Sequence, residues 1–249
     1  MLREERHRYI LNRLAQEHRV YLTRISKELG LSNDTIRRDL EELDRVGLLK
    51  KVHGGGIPIS GMPLEAIHRS ESNVDEKTHL ASKAVMLFKP GDLILIDGGT
   101  TNLALARQLP KDKPFTVFTN SFPIVNALLE HPLIDLVFLG GSVFKDPQIT
   151  GGIAVFHTLQ NIRVDWLVLG VSNVHPQRGL TVPNREEALL KKQMIEQARK
   201  VVILADSHKL NTAETYNVAS LQKVDVVVVE TDQVYSIQKD WPSYWFTLL

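Results

Sequence analysis

The apolar positions of the N-terminal stretch recur at helical spacing. Ile10, Leu11 and Leu14 mark one face of a helix expected over about 3–17. Val20 to Leu22 is a short extended step. Thr23 can cap a second helix, whose buried side is Ile25 and Leu29. Gly30 suits the left-handed position that ends it. Ser32 caps a third helix, in which Ile36, Leu40 and Leu43 face inward at spacings of four and three. That leaves Asn33, Asp34, Thr35, Arg37, Arg38 and Glu41 on the open face. Residues 47–56 then read as a two-strand wing with a basic ridge of Lys50, Lys51 and His53.

The pattern changes after residue 57. Ile57-Pro-Ile-Ser-Gly-Met-Pro63 has neither helical nor strand periodicity, so a linker is expected over 58–74. Asp75 can cap a helix running through Ala81, Ala84, Val85 and Leu87, ended by Pro90-Gly91. Beyond it, continuous apolar runs alternate with helical patterns. Strands are expected at 93–96, 115–118, 136–139, 166–169, 201–204 and 226–229, and helices at about 102–109, 121–130 and 185–199. Strands without polar alternation belong to a sheet buried on both faces, as in parallel α/β folds. The domain expectation is therefore a winged helix-turn-helix over 1–57 and a larger, Rossmann-like α/β domain over 75–249.

Charge separates the two parts. The first 57 residues carry 12 Lys or Arg against 9 Asp or Glu, and the remaining 192 carry 18 against 20. The basic excess sits on the small N-terminal part, which agrees with nucleic-acid binding. There are no cysteines, which removes disulfides, thiolate metal ligands and a cysteine nucleophile, and fits a cytoplasmic protein. The N-terminus is too charged for a secretory apolar region, and no apolar run is long enough to span a membrane. No metal site, cofactor or catalytic set is expected.

The candidate chemistry lies in two places. Two short helices joined by a tight turn, the second opening with small polar residues and two arginines, form the layout that lays a helix in the major groove. The expected DNA contacts are Thr23, Ser32, Asn33, Thr35, Arg37 and Arg38, with Lys50, Lys51 and His53 on the wing. Asp39, Glu41, Glu42 and Asp44 are expected to point away from DNA or to pair with arginines.

The second place is Asp97-Gly-Gly-Thr-Thr101. Gly98 and Gly99 let the backbone approach a ligand, Thr100 and Thr101 supply hydroxyls, and the following helix presents free N–H groups. That set favours a phosphate or carboxylate. One helix end contributes only about 0.3–1 kcal/mol, so a cation is needed, and Lys77, Lys191 and Lys209 are the candidates. The pattern is neither a Walker A loop nor a dinucleotide fingerprint. A turn that uses glycine for geometry alone is the alternative. Thr119-Asn-Ser121 and Gly140-Gly141 follow other expected strands and count against it, because ligands of open α/β sheets bind beyond the strands' carboxyl ends.

Ser32-x-x-Thr35-Ile-Arg-Arg-Asp-Leu40, with Leu43, Gly47 and Val52-His-Gly-Gly55, resembles the DeoR family of bacterial transcriptional regulators. The resemblance continues through Asp97-Gly-Gly-Thr-Thr101, Thr119-Asn-Ser121, Gly140-Gly141, Gly151, Gly179-Leu-Thr181, Glu187-Ala188, Lys191 and Ala205-Asp206-Ser-x-Lys209. It implies an effector domain similar in fold to ribose-5-phosphate isomerase and a phosphorylated sugar as inducer. It also implies a pocket lined by Asp97, Thr100, Thr101, Asn120 and Lys209, with Asp206 in the same motif as Lys209.

The chain departs from the family twice. Gly170-Val-Ser-Asn-Val-His-Pro176 stands where relatives often have an acidic loop, so Ser172 and His175 replace the groups that related isomerases use for proton transfer. Leu210-Asn211 stands where a Phe-Gly pair is common. The expected function is a DNA-binding repressor of carbohydrate-metabolism genes, a homo-oligomer on double-stranded operator DNA, controlled by a sugar phosphate. An isomerase-like enzyme with a DNA-binding appendage is the runner-up; a constitutive DNA binder whose large domain only oligomerises is a third.

Overall fold

The apolar stripe of the N-terminal stretch builds a three-helix unit with a wing. In the computed structural model α1 (Arg3–Glu17) is followed by β1 (Val20–Tyr21), α2 (Leu22–Leu29), α3 (Asn33–Arg45), β2 (Lys50–Val52) and β3 (Gly55–Ile57). The structure describes residues 2–17, 19–45, 49–57, 74–234, 237, 241 and 246–249. It divides into two units, Met1–Ser72 and Asn73–Leu249. The expected linker lies, apart from Val74, outside the described residues, as does Gly47 of the wing.

Ile10, Leu11, Leu14, Ile25, Ile36, Leu40, Leu43 and Leu49 form the core of the first unit. Gly30 ends α2 at φ 65°, a left-handed conformation that costs glycine little, and its N–H donates to the Ser26 carbonyl. Ser32 Oγ accepts from the Thr35 N–H at 3.2 Å, as a helix-starting serine should. Thr23 is different. Helix α2 starts at Leu22, with Tyr21 in the flanking position and no side-chain cap, so Thr23 lies within the first turn. The β1–β3 pairing explains this: Tyr21 opposite Gly55 fixes the entry point, and the Leu22 N–H donates to the Gly54 carbonyl at 2.9 Å.

From Val74 the second unit runs α4 (Val74–Val85), β4 (Leu93–Ile96), α5 (Thr100–Arg107), β5 (Phe115–Thr119), α6 (Phe122–Leu128), β6 (Ile134–Phe138), β7 (Ser142–Phe144), β8 (Ile149–Gly151), α7 (Ile153–Gln160), β9 (Val164–Leu169), β10 (Asn173–His175), β11 (Gly179–Val182), α8 (Arg185–Glu196), β12 (Ala198–Leu204), β13 (Tyr216–Ala219), β14 (Val226–Val228) and β15 (Thr247–Leu248). Seven strands form one parallel sheet in the order β15-β14-β12-β9-β4-β5-β6. Both faces are covered. Ile94, Ile96, Trp166, Val168, Val202 and Leu204 pack with Leu80, Ala84, Leu105 and Ile124 on one side. Leu95, Leu167, Leu169, Val201 and Ile203 pack with Leu190, Met194 and Ile195 on the other. Adjacent residues of one strand thus serve opposite cores, which is why these strands read as unbroken apolar runs.

Several helix boundaries differ from the sequence expectation, among them the ends of α4 at Val85 rather than beyond Leu87 and of α5 at Arg107 rather than 109. Helix α5 begins at Thr100 rather than 102, because Gly99 turns the chain at φ 131° immediately after the strand. Helix α6 ends at Leu128 rather than 130, and α8 at Glu196 rather than 199, because Ala198 pairs with Val164 and starts β12. Asp75 is in the first turn of α4, where its charge complements the helix dipole. The hairpin β7–β8, helix α7 and the antiparallel sheet β10-β11-β13 have no counterpart in the sequence reading.

Strands β4, β5 and β6 progress to one side of the sheet, and β9, β12 and β14 to the other. The order reverses between β4 and β9. At such a switch point the loops leaving adjacent strands diverge to opposite faces and open a crevice.

Candidate functional site

Helix α3 presents the first site. Ser32, Asn33, Asp34, Arg37 and Arg38 are exposed, and Thr35 is half-buried. Arg37 is tied to Asp34 at 2.5 Å, whereas Arg38 makes no ion pair among the described residues. Thr23, Lys50 and His53 are exposed too; Lys51 is half-buried and donates to Glu41 at 2.6 Å. That bond, with the charge behind it, holds the Glu41 carboxyl below the usual carboxylate range. Of the four acidic residues expected to turn from DNA or pair with arginines, Asp39 and Glu42 meet arginines, whereas Glu41 and Asp44 are met by Lys51. Asp39 receives Arg6 and His7 from α1, Glu42 receives Arg3, and Asp44 accepts the Lys51 N–H. Of the predicted lysine and arginine contacts, Arg38 and Lys50 are exposed and make no ion pair among the described residues, whereas Arg37 and Lys51 are paired.

The second site grows from Asp97, the residue after β4. Its side chain is 1% exposed. Oδ1 accepts from the Gly98 N–H at 2.8 Å, and Oδ2 from the Gly170 N–H at 3.1 Å. Lys191 of α8, 3% exposed, forms an ion pair with Oδ2 and lies 3.2 Å from Glu187. Burial opposes the charge on Lys191, but Asp97 and Glu187 outweigh it and raise the ammonium above the ordinary lysine range. Gly170 must be glycine here: a Cβ would stand 2.2 Å from the Gly98 carbonyl oxygen. Asn102, buried in the first turn of α5, donates to the carbonyls of Asp97 at 2.9 Å and Val168 at 3.2 Å, stitching β4 to β9.

Around this foundation the sheet brings other predicted residues together. Thr100 and Thr101 occupy the first turn of α5, with Gly98 and Gly99 just before it. Lys209 Nζ lies 3.4 Å from Thr101 Oγ1 and 3.3 Å from Asp206 Oδ2, so the cation from the end of β12 reaches the start of α5. At the end of β5, Thr119 Oγ1 donates to the Ile96 carbonyl at 2.6 Å and accepts the Ser121 N–H at 3.1 Å. Asn120 is fully buried and its Nδ2 donates to the Thr150 carbonyl. Its Oδ1 has no partner among the described residues. Ile149 of β8 covers Gly98, with its Cγ2 2.4 Å from where a Cβ would stand.

These contacts separate the predicted residues by role. Lys191 is already committed to two carboxylates, and the Thr119 hydroxyl to two backbone groups. The Gly98 N–H is likewise taken by Asp97, so Lys209, Thr100, Thr101 and the Gly99 backbone remain the groups best disposed toward an anion. Gly140 and Gly141 lie after β6 and lead into the β7–β8 hairpin, Gly141 backing onto the Gly151 carbonyl. Lys77 is buried on α4, which packs against α5. His175 ends β10, and its Nδ1 accepts the N–H groups of Gln177 and Arg178 at 3.2 and 3.3 Å. Sequence reasoning missed Asn102, the Arg6–Asp39 pair and Ile149. An asparagine in the turn after a buried strand was the available signal for the first; the other two depend on contacts between distant elements.

Similarity to known proteins covers both units. A family profile described as the DeoR C-terminal sensor domain matches residues 72–231, and one described as a DeoR-like helix-turn-helix domain matches residues 6–60. The chain is 32% identical over 232 residues to the HTH-type transcriptional regulator GlpR of Haloferax volcanii, covering 92% of this chain and 91% of that protein. It is 31% identical over 232 residues to the HTH-type transcriptional repressor GlcR of Bacillus subtilis, covering 92% and 89%. Among solved structures, ribose 5-phosphate isomerase A of Methanocaldococcus jannaschii matches with a TM-score of 0.42 at 23% identity, covering 56% of this chain and 55% of that one.

Proposed function

The chain belongs to the DeoR family of transcriptional regulators, and on that premise we propose that it represses carbohydrate-metabolism genes and is released from its operator by a phosphorylated sugar. The observation that carries the effector half is the approach of Lys209 to Thr101 at the switch-point crevice. A dianionic phosphate there meets an ammonium, a hydroxyl and the first N–H groups of α5, a combination suited to phosphate. Asp206 limits the attraction by holding Lys209 from the other side. Phosphate binding exchanges that partner for a more highly charged one. Asn120 Oδ1, an open acceptor one strand away, suits a sugar hydroxyl.

The DNA half rests on α3 and the wing. In this reading Arg38 makes a base-edge or phosphate contact and Lys50 a phosphate contact, which their exposure and lack of an ion pair among the described residues support. A homo-oligomer in the cytoplasm engages repeated half-sites, spaced by about 10–10.5 bp or a multiple. The effector acts by preferring one arrangement of the reading heads; a coupling of about 1–3 kcal/mol changes operator affinity roughly 5–150-fold. The protein is not an enzyme in this reading. Ser172 and His175 stand in the loop where related isomerases carry acids, His175 Nδ1 accepts two turn N–H groups, and the carboxylates of Asp97 and Asp206 are engaged by Lys191 and Lys209 rather than poised as a base.

Titration of pentose and hexose phosphates into the complex with an in vitro selected duplex tests this. Release by a phosphorylated sugar that is recovered unchanged, with no release by its unphosphorylated form, is the expected result. Conversion of the sugar phosphate would favour the isomerase reading, and retention of DNA against every phosphorylated sugar would refute effector control.

A further inference from the structure

Asp39 is an acidic residue in the middle of the helix that reads DNA, and it sits one position from Arg38. The residue is 3% exposed and its side chain is held from α1 by a two-pronged bond, Arg6 Nε at 2.7 Å and Arg6 Nη2 at 2.9 Å. His7 Nε2 lies 3.2 Å from Oδ1. One turn further along both helices, Arg3 reaches Glu42 at 3.1 Å. The other ties of α3 to its unit are single, exposed hydrogen bonds from Lys51 to Glu41 and Asp44, and apolar packing through Ile36, Leu40 and Leu43. Apolar packing is non-directional, whereas a fork-to-carboxylate bond fixes both distance and plane. We propose that Asp39 is a positioning residue for sequence readout: clamped by Arg6 and His7, it sets the rotation of α3 about its own axis and so the aim of Asn33, Arg37 and Arg38.

The geometry makes that rotation consequential. Side-chain tips lie about 5–6 Å from a helix axis, so a rotation of about 10° moves a contact group by about 1 Å. Hydrogen bonds to base edges tolerate only about half of that. Phosphate contacts, made by flexible side chains to a repeating backbone, are more forgiving.

A charge argument separates positioning from general effects. Asp39→Asn removes a negative charge from a DNA-binding unit, so electrostatics alone predicts tighter binding to every duplex. Loss of positioning predicts the opposite for the preferred duplex only. Arg6→Lys keeps the charge and loses the fork, and it serves if Asp39→Asn fails to fold. The inference rests on the groove-reading role proposed above for α3.

The experiment uses the full chain, a duplex that the wild type enriches from a random pool, and a random duplex of equal length. The ratio of the two affinities is measured for wild type, Asp39→Asn and Arg6→Lys at a temperature where circular dichroism shows each folded. The ratio is expected to fall by roughly 5- to 150-fold in both variants, the size of one lost two-pronged base contact, with random-duplex affinity unchanged or tighter. A ratio equal to wild type in a folded variant overturns the proposal, as does a parallel loss on both duplexes. A wild type that prefers no sequence would instead refute groove reading by α3.

Discussion

Lys191 and Asp97, 94 residues apart in the chain, form an ion pair beneath the crevice with almost no access to water. The pair joins α8 to the end of β4, and Glu187 completes it one helical turn away. Breaking a buried pair leaves an uncompensated charge, at a cost of about 3–5 kcal/mol. Lys191→Met is therefore expected to lower the thermal midpoint of the large unit by roughly 6–20 °C, using about 2–4 °C per kcal/mol for a domain of this size. The Lys191 pKa is raised in the folded state. Its stabilisation is thus complete below the ordinary lysine value of about 10.4 and disappears as pH rises through the folded value. Urea unfolding between pH 8 and 12 should show this alkaline loss in wild type and not in Lys191→Met.

Thr101 and Lys209 share one contact but come from α5 and the loop after β12. Replacing both with alanine should abolish release of DNA by sugar phosphate while leaving operator affinity within about twofold, since neither residue belongs to the DNA-binding unit. Gel shifts with and without the effector measure both quantities. A double variant that still responds would move the anion site away from α5.

Arg38→Ala should weaken binding to the preferred duplex by about 5–150-fold if the guanidinium reads a base edge. Lys50→Ala should weaken all duplexes alike and make the log–log salt slope shallower by about one phosphate's worth. Fluorescence anisotropy across a salt series distinguishes the two behaviours. Equal effects from both variants on preferred and random duplexes would remove Arg38 from readout.

Glu230, just after β14, is held above the ordinary carboxylate range, first by burial and then by the charge of Glu76, with Asp232 and Asp206 adding; the Ser207 N–H opposes them. Its Oε1 and Glu76 Oε2 have no partners among the described residues. A carboxyl with a raised folded pKa favours the folded state at low pH and loses that advantage as pH climbs from about 4.3. Glu230→Gln should therefore be more stable than wild type at pH 7 and indistinguishable from it near pH 3, by urea midpoint. A lower midpoint at pH 7 would mean that the carboxylate has a stabilising partner.

The local patterns of this chain were legible because their causes are local. Caps, turn glycines and the three-and-four spacing of Ile36, Leu40 and Leu43 fix a helix regardless of what lies across from it. Unbroken runs such as Leu93 to Ile96 announce a sheet covered on both faces. The Asp97-Gly-Gly-Thr-Thr101 stretch marked a strand end without showing its neighbours. What only the tertiary structure decided is which charges are spent. Lys191, Lys51 and Arg37 resemble Arg38 in sequence, yet the first three have carboxylates held against them, two of them within four residues and Glu41 across to the wing, and Lys209 has Asp206 on one side only. Asp39 was expected to point away from DNA or to pair with an arginine, and only the packing of α1 on α3 decided that the arginine is Arg6. Pairing energies depend on distance and burial, and both are set by the packing of elements far apart in the chain.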